Sequence, residues 1–142
     1  MIQAAGAIFI SANTKRLLLN YRAKDVKFPR SWGFIGGKIE QDEKVLQGLS
    51  REIREEIGFI PEYKQSIPMD VYHSIDGIFT YYTFAILVND EFVPYINHES
   101  GGWGWFDLDC LPTQLHLGAK AVLCHRDFSK NFFQYIEDHK QS

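Results

Sequence analysis

The sequence predicts an α/β protein, with helices layered against a mixed β-sheet. Two observations carry this expectation. Strand-like segments lie on both sides of one central amphipathic helix, and the chain turns helical again near its end. No repeat, low-complexity stretch or linker divides the 142 residues, so a single domain over 1–142 is expected.

The first two strands are expected from AGAIFIS and RLLLNYR, joined as a hairpin by the turn-rich spacer ANTK. SWGFIGG, aromatic and then glycine-rich, reads as a strand running into a tight turn. The central helix is expected to start near Asp42, a good N-cap type, and to end at Gly58, which suits a left-handed position after the last turn. Pro61 confirms the stop. Leu46, Leu49, Ile53 and Ile57 mark the face that anchors this helix to a sheet. Next, SIPMDVYHSI and IFTYYTFAILV flank Asp76-Gly77, a hairpin-turn dipeptide. WGWFDL is a short aromatic strand, and helical segments run from about Leu117 to Cys124 and from about Ser129 to His139.

Bulk properties exclude several classes of function. The chain is 45% hydrophobic and 23% charged, an ordinary globular balance, and its net charge of −3 makes no electrostatic case for duplex nucleic acid. No run approaches the ~18 apolar residues of a membrane span, and no basic residue precedes the short apolar run at the N-terminus. Two cysteines, Cys110 and Cys124, without a CxxC pair, read as reduced thiols. The expected location is the cytoplasm.

The chemistry lies in the central helix, where REIREE crowds Glu52, Glu55 and Glu56 together. On a helix, Glu52 and Glu56 project ~40° apart, and Glu55 lies ~60° from Glu52 on the other side. Three carboxylates in so small a volume raise one another's pKa or are neutralised by cations. Arg51 and Arg54 are at hand, but one helix cannot aim both into the same sector. A hard divalent ion such as Mg²⁺, which joins a few carboxylates to substrate phosphates, answers the problem better. Taken alone, REIREE is also what a solvated face laced by an Arg51–Glu55 pair looks like.

The surroundings decide between the two. Gly37, then Glu43, then Arg51-Glu52-Ile53-Arg54-Glu55-Glu56-Ile57-Gly58-Phe59 resemble the Nudix box, G-x5-E-x7-R-E-U-x-E-E-x-G-U, at all seven fixed positions. With each residue type used at roughly 6%, such a match arises by chance less than about once in a million over the chain. Weaker resemblance extends outward, through LLLNYR and SWGFIGGK before the box and WFDLDCLP after it. Departures are Ile35 where proline is usual, Gly48-Leu49 in place of Ala-Ala, and an aromatic Phe59. Gly48 inside a helix should cost roughly 1 kcal/mol against alanine unless a close contact requires it.

The resemblance implies a Nudix-type α/β/α sandwich around a mixed β-sheet. It also implies a Mg²⁺-dependent pyrophosphohydrolase, with Mn²⁺ as a substitute, that cleaves a nucleoside diphosphate linked to another moiety by water attack on phosphorus. By the matched box, Glu52, Glu55 and Glu56 with the backbone carbonyl of Gly36 are the expected metal ligands, and Gly37, Glu43 and Arg51 support the site. Arg22 and Lys38 are expected to bind phosphate, or else are surface cations. The general base is a box glutamate or a later-loop glutamate, for which Glu99 is the candidate. Trp32, Phe34, Tyr72, Tyr81 and Tyr82 could stack on a base, although alternation places Tyr81 and Tyr82 on opposite faces. A small-molecule nucleotide is the expected partner, and a homodimer is open.

Substrate clues are thin. The family's signature for NADH-type dinucleotides is missing after the box. The tyrosine of many dinucleoside-polyphosphate hydrolases would fall near Asp76, and the proline of ADP-ribose hydrolases near Ser74. Nucleotide sugars, nucleoside triphosphates and dinucleoside polyphosphates therefore stay open, beside a non-catalytic nucleotide sensor and an RNA 5′-end pyrophosphohydrolase. The acidic balance argues against the last.

Overall fold

The first strand, β1 (Ile2–Ser11), organises the sheet in the computed structural model, which describes residues 1–23 and 30–139. One edge of β1 pairs in parallel along its whole length with β6 (Phe79–Val88). The other edge is shared. Near the hairpin turn it meets β2 (Arg16–Arg22) at Ile10↔Leu17, and further back, from Gln3 to Ala7, it pairs with β4 (Ile35–Ile39). The two hairpin strands therefore part like a fork. The segment between the tines lines both, with β3 (Trp32–Gly33) along β2 and β4 along β1.

The outer strands complete the mixed sheet. β5 (Gln65–His73) pairs with β6 through the hairpin turned at Gly77, whose φ of 75° suits glycine. β7 (Ser100–Asp107) pairs with the free edge of β2. Helix α1 (Val45–Ile57) covers one face, while α2 (Leu117–Leu123) and α3 (Arg126–His139) cover the other.

Strand alternation divides the core between the two faces. Ile8, Ile10, Leu17, Leu19, Ala85 and Leu87 meet Ala119, Val122, Leu123, Phe128 and Ile136 of α2 and α3. Ala5, Ala7, Phe9, Leu18, Ile35 and Ile39 meet Leu49, Ile53 and Ile57 of α1. These three α1 anchors are at most 4% exposed, and each such burial contributes roughly 1.5–3 kcal/mol. The α/β/α sandwich expected from the sequence is what forms.

Three local expectations need correction or completion. α1 starts at Val45, with Lys44 rather than Asp42 as its N-cap, and Gln47 Oε1 accepts the Lys44 N–H at 2.9 Å. Helix formation is delayed because Glu43 closes the preceding turn, its N–H donating to Glu40 O and its carboxylate accepting from Glu40 N–H. Leu46 does not anchor the helix; it is 54% exposed. Gly48 takes the inward position instead, where an added Cβ would lie 2.6 Å from Ile39 Cδ1 and 3.1 Å from a Glu43 oxygen. That contact accounts for a glycine inside a helix. At the other end Gly58 is left-handed as expected, at φ 87°, with its N–H on Arg54 O.

Candidate active site

The site lies at the fork, where α1 runs beneath β4. Residues 35, 37 and 39 of β4 face α1, so Gly37 turns toward Glu52. An added Cβ there would stand 2.6 Å from the Glu52 carboxylate, so the missing side chain is what admits it. Gly36, one residue earlier, sits against Gly6 of β1 at φ +155°, and an added Cβ would collide with the Ala5 carbonyl oxygen. Its N–H donates to Glu56 Oε2 at 3.0 Å. Of two successive glycines, Gly37 thus leaves room for one carboxylate of α1 and Gly36 bonds a second, one turn on.

Arg51 braces the arrangement. Its Nε and Nη2 reach both oxygens of Glu43, at 2.8 and 3.0 Å, a bidentate pair that fixes orientation as well as charge. Nη2 also donates to the Lys38 carbonyl at 2.9 Å, tying helix to strand. Nη1 lies 3.0 Å from Glu52 Oε1 and 3.3 Å from Glu55 Oε2. One arginine of the helix does therefore reach into the carboxylate sector, and it offsets part of the repulsion. The Glu43 carboxyl is held below its ordinary range, first by the Arg51 hydrogen bonds and then by Glu40 N–H.

The two carboxylates beside the glycines move the other way. Burial pushes the Glu56 carboxyl up to about 8 against the hydrogen bond from Gly36, with Glu52 and Glu99 adding to the rise and Arg22 opposing it. Burial also raises Glu52, with Arg51 pulling back and Glu55 and Glu99 pushing further. Glu99, from the loop before β7, therefore lies near enough to both box glutamates for its charge to act on them, although it is more than forty residues away in sequence. Arg22, at the end of β2, acts on Glu56, Tyr81 and His116.

The structure thus brings Gly36, Gly37, Glu43, Arg51, Glu52, Glu55, Glu56, Glu99 and Arg22 into one region. Lys38 stands apart. Alternation on β4 turns its side chain away from α1, where it lines a surface cavity with Met1, Ile2, Glu40 and Asp42. Of the aromatic candidates, Trp32 packs against Tyr21 and Phe106 at ring-centroid distances of 5.0 and 5.1 Å, and Phe34 is buried in the core. Tyr72 is exposed, and Tyr82 accepts a hydrogen bond from Gln3. Tyr81 lies over Gly6 beside Phe34; burial and then Glu56 raise its hydroxyl above the ordinary range.

Sequence reasoning missed the polar residues that hold Glu99. Asn97 Oδ1 accepts the Glu99 N–H at 2.9 Å, and its Nδ2 donates to Glu55 O at 3.1 Å. Ser100 Oγ donates to Asn20 Oδ1, from a buried asparagine on β2. An asparagine two residues before Glu99 is a usual turn-former, so the local bond was available as a signal. The long-range bond was not.

As a metal site, the donor set is that of a hard cation: three carboxylates and a backbone carbonyl, all oxygen. Among the described residues no three His, Cys, Asp or Glu side chains are already gathered as a metal-binding group; Arg51 Nη1 lies between Glu52 and Glu55. The residues fit such an ion in kind, and Arg51 meets Glu52 through Oε1, one of its two carboxylate oxygens.

Comparison with known proteins agrees with this geometry. A family profile described as NUDIX domain matches residues 1–126. The CTP pyrophosphohydrolase of Escherichia coli (strain K12) is 36% identical over 74 residues, which cover 50% of this chain and 53% of that protein. The chain thus spans about half the length of that curated relative. The crystal structure of a MutT NUDIX hydrolase from Burkholderia pseudomallei superposes with a TM-score of 0.69 at 26% identity, covering 88% of this chain and 97% of that one. A Nudix hydrolase from M. smegmatis reaches a TM-score of 0.75 at 21% identity, over 91% and 86% of the two chains, a likeness of fold. With the profile spanning most of its length and the box glutamates assembled at the glycine turn, this chain belongs to the NUDIX domain family.

Proposed function

We propose that the protein is a Mg²⁺-dependent pyrophosphohydrolase of nucleoside triphosphates, releasing a nucleoside monophosphate and pyrophosphate. The observation that carries this is the gathering of Glu52, admitted beside Gly37, and Glu56, bonded by Gly36, with the charge of Glu99 acting on both from another loop. The choice of a triphosphate among the open substrates leans on the pyrophosphohydrolase of CTP among the relatives. Residues 1–142 are taken as one domain working in the cytoplasm, with a homodimer as an allowed assembly; no helix among the described residues is long and apolar enough to cross a membrane.

Glu52, Glu55, Glu56 and the Gly36 carbonyl would hold Mg²⁺, or Mn²⁺ in its place. Bound there, the ion supplies charge neutralisation at the phosphate oxygens and a lowered pKa for water. Arg22, at the end of β2, whose positive charge acts on Glu56, binds the phosphate chain. Lys38, on the other face of β4, has a second-rank part in phosphate binding. Glu99 is the general base. Glu52 is engaged by Arg51 and Glu56 by Gly36, whereas the Glu99 residue is exposed to the water it must activate. As water attacks, its oxygen bonds to phosphorus, its proton passes to Glu99, and the bridging P–O bond breaks with its electron pair leaving on the departing phosphate fragment, the monophosphate or pyrophosphate according to which phosphorus is attacked.

The test is a panel of nucleoside triphosphates, nucleotide sugars, dinucleoside polyphosphates and ADP-ribose, assayed with Mg²⁺, Mn²⁺ or EDTA. Mg²⁺-dependent release of monophosphate and pyrophosphate from a triphosphate is expected. Binding without turnover anywhere in the panel would overturn catalysis in favour of a sensor, and faster turnover of another class would reassign the substrate.

A further inference from the structure

Glu99 is exposed, yet its backbone is fully engaged. Its N–H donates to Asn97 Oδ1 and its carbonyl accepts from Ala23 N–H, both at 2.9 Å. An exposed loop residue without a task has no need of such fixing, since water can satisfy its backbone. The loop is fastened at both ends. Ser100 N–H donates to Asn97 O at 3.1 Å, and Ser100 Oγ binds the buried Asn20 of β2.

On the other side the fastening point is the end of α1. The last four carbonyls of a helix lack intrahelical partners. Here Gly58 N–H takes Arg54 O, Asn97 Nδ2 takes Glu55 O, and Tyr95 N–H takes Ile57 O. The same amide of Asn97 thus grips the turn that carries Glu55 and Glu56 and, through its oxygen, the backbone of Glu99.

We infer that Asn97 is a positioning residue that sets the Glu99 carboxylate against Glu52 and Glu56, and so acts on turnover through Glu99. The inference rests on Glu99 being the base. A displacement of about 1 Å in a catalytic group can cost about 10²-fold in rate, and one lost hydrogen bond in an exposed loop permits a shift of that size.

A double-mutant cycle tests it, with CTP and Mg²⁺ or whichever panel substrate turns over fastest. Glu99→Gln alone should lower kcat by about 10²-fold or more. Asn97→Ala should lower kcat by about 10- to 100-fold, with KM within about threefold of wild type. In the Glu99→Gln background the same change should cost no more than about twofold, because the group it positions is already disabled. Circular dichroism verifies folding; if Asn97→Ala does not fold, Asn97→Asp, which keeps the acceptor and loses the donor, replaces it in the cycle. Equal losses in both backgrounds, or a rise in KM at unchanged kcat, would overturn the positioning role. Unchanged kcat in Glu99→Gln would instead overturn the assignment of the base and the inference with it. A damaging Glu99→Gln beside a harmless Asn97→Ala would remove the inference alone.

Discussion

Gly36→Ala is the substitution that most directly probes how the fork builds the site. Two effects add at this position. The backbone has φ +155°, which a residue with a Cβ adopts only under strain of about 1–3 kcal/mol. The new methyl would also be driven into the Ala5 carbonyl and to 2.8 Å from Gly6 Cα, both main-chain atoms of the central strand. Backbone cannot swing aside as a side-chain tip can, and overpacking of this kind costs about 1–3 kcal/mol. Together they amount to about 2–6 kcal/mol. For a chain of this size each kcal/mol lowers Tm by about 2–4 °C, so a fall of roughly 4–24 °C is expected. Gly77→Ala is the control: φ is +75° but nothing lies within 4 Å of an added Cβ, so only the backbone strain remains. Thermal melts followed by circular dichroism compare the two, and turnover of the panel substrate should fall in Gly36→Ala as β4 moves away from β1 and carries the Glu56 partner with it. A Gly36→Ala protein that melts no lower than Gly77→Ala and keeps its turnover would refute this account of the glycine turn.

Other outcomes follow from the same contacts. Glu56→Gln should keep the hydrogen bond from Gly36 and the fold, yet lose turnover by orders of magnitude; near-wild-type kcat would remove Glu56 from the metal-binding set. Millimolar Mg²⁺ should raise Tm by several degrees in wild type and much less in Glu56→Gln, since a ligand at 100 times its Kd adds about 2.7 kcal/mol. Indifference of the wild-type Tm to Mg²⁺ would contradict a preference built into the three carboxylates. Glu91, held below its ordinary value of 4.5 first by its hydrogen bond from Arg16 at 2.6 Å, gives a pH test away from the site. Because its folded value is depressed, its contribution is present above about 4.5 and is lost as pH falls through the folded value. Wild type should therefore melt above Glu91→Gln at about pH 7, and the gap should close as pH falls through the folded value; a gap that stays constant would show that Glu91 contributes nothing through its charge.

Much of the site was legible because it is local. Gly37, Glu43, Arg51, Glu52, Glu55 and Glu56 lie within one loop and one helix, where spacing translates directly into position. Hairpin turns at ANTK and at Asp76-Gly77, and the left-handed stop at Gly58, were legible for the same reason. The misplaced start of α1 had a tertiary cause: Glu43 is engaged by Glu40 and Arg51, so the turn continues past Asp42 and the helix begins at Val45, capped by Lys44. Leu46 fits the helical period yet is 54% exposed, while Gly48 lies against Ile39 of β4.

The sequence by itself determined the chemistry: which carboxylates gather on one turn of α1, and that a glycine pair precedes them. Only the tertiary structure decided how they are used. The parting of β1 and β2 places Gly36 over Ala5, and strand alternation sends Lys38 away from the carboxylates. Asn97 carries Glu99 to the box across 42 residues by binding Glu55 O. Period and spacing report neighbours along the chain, whereas a helix's unpartnered carbonyls accept any donor that the fold delivers. Which donor arrives is a property of packing.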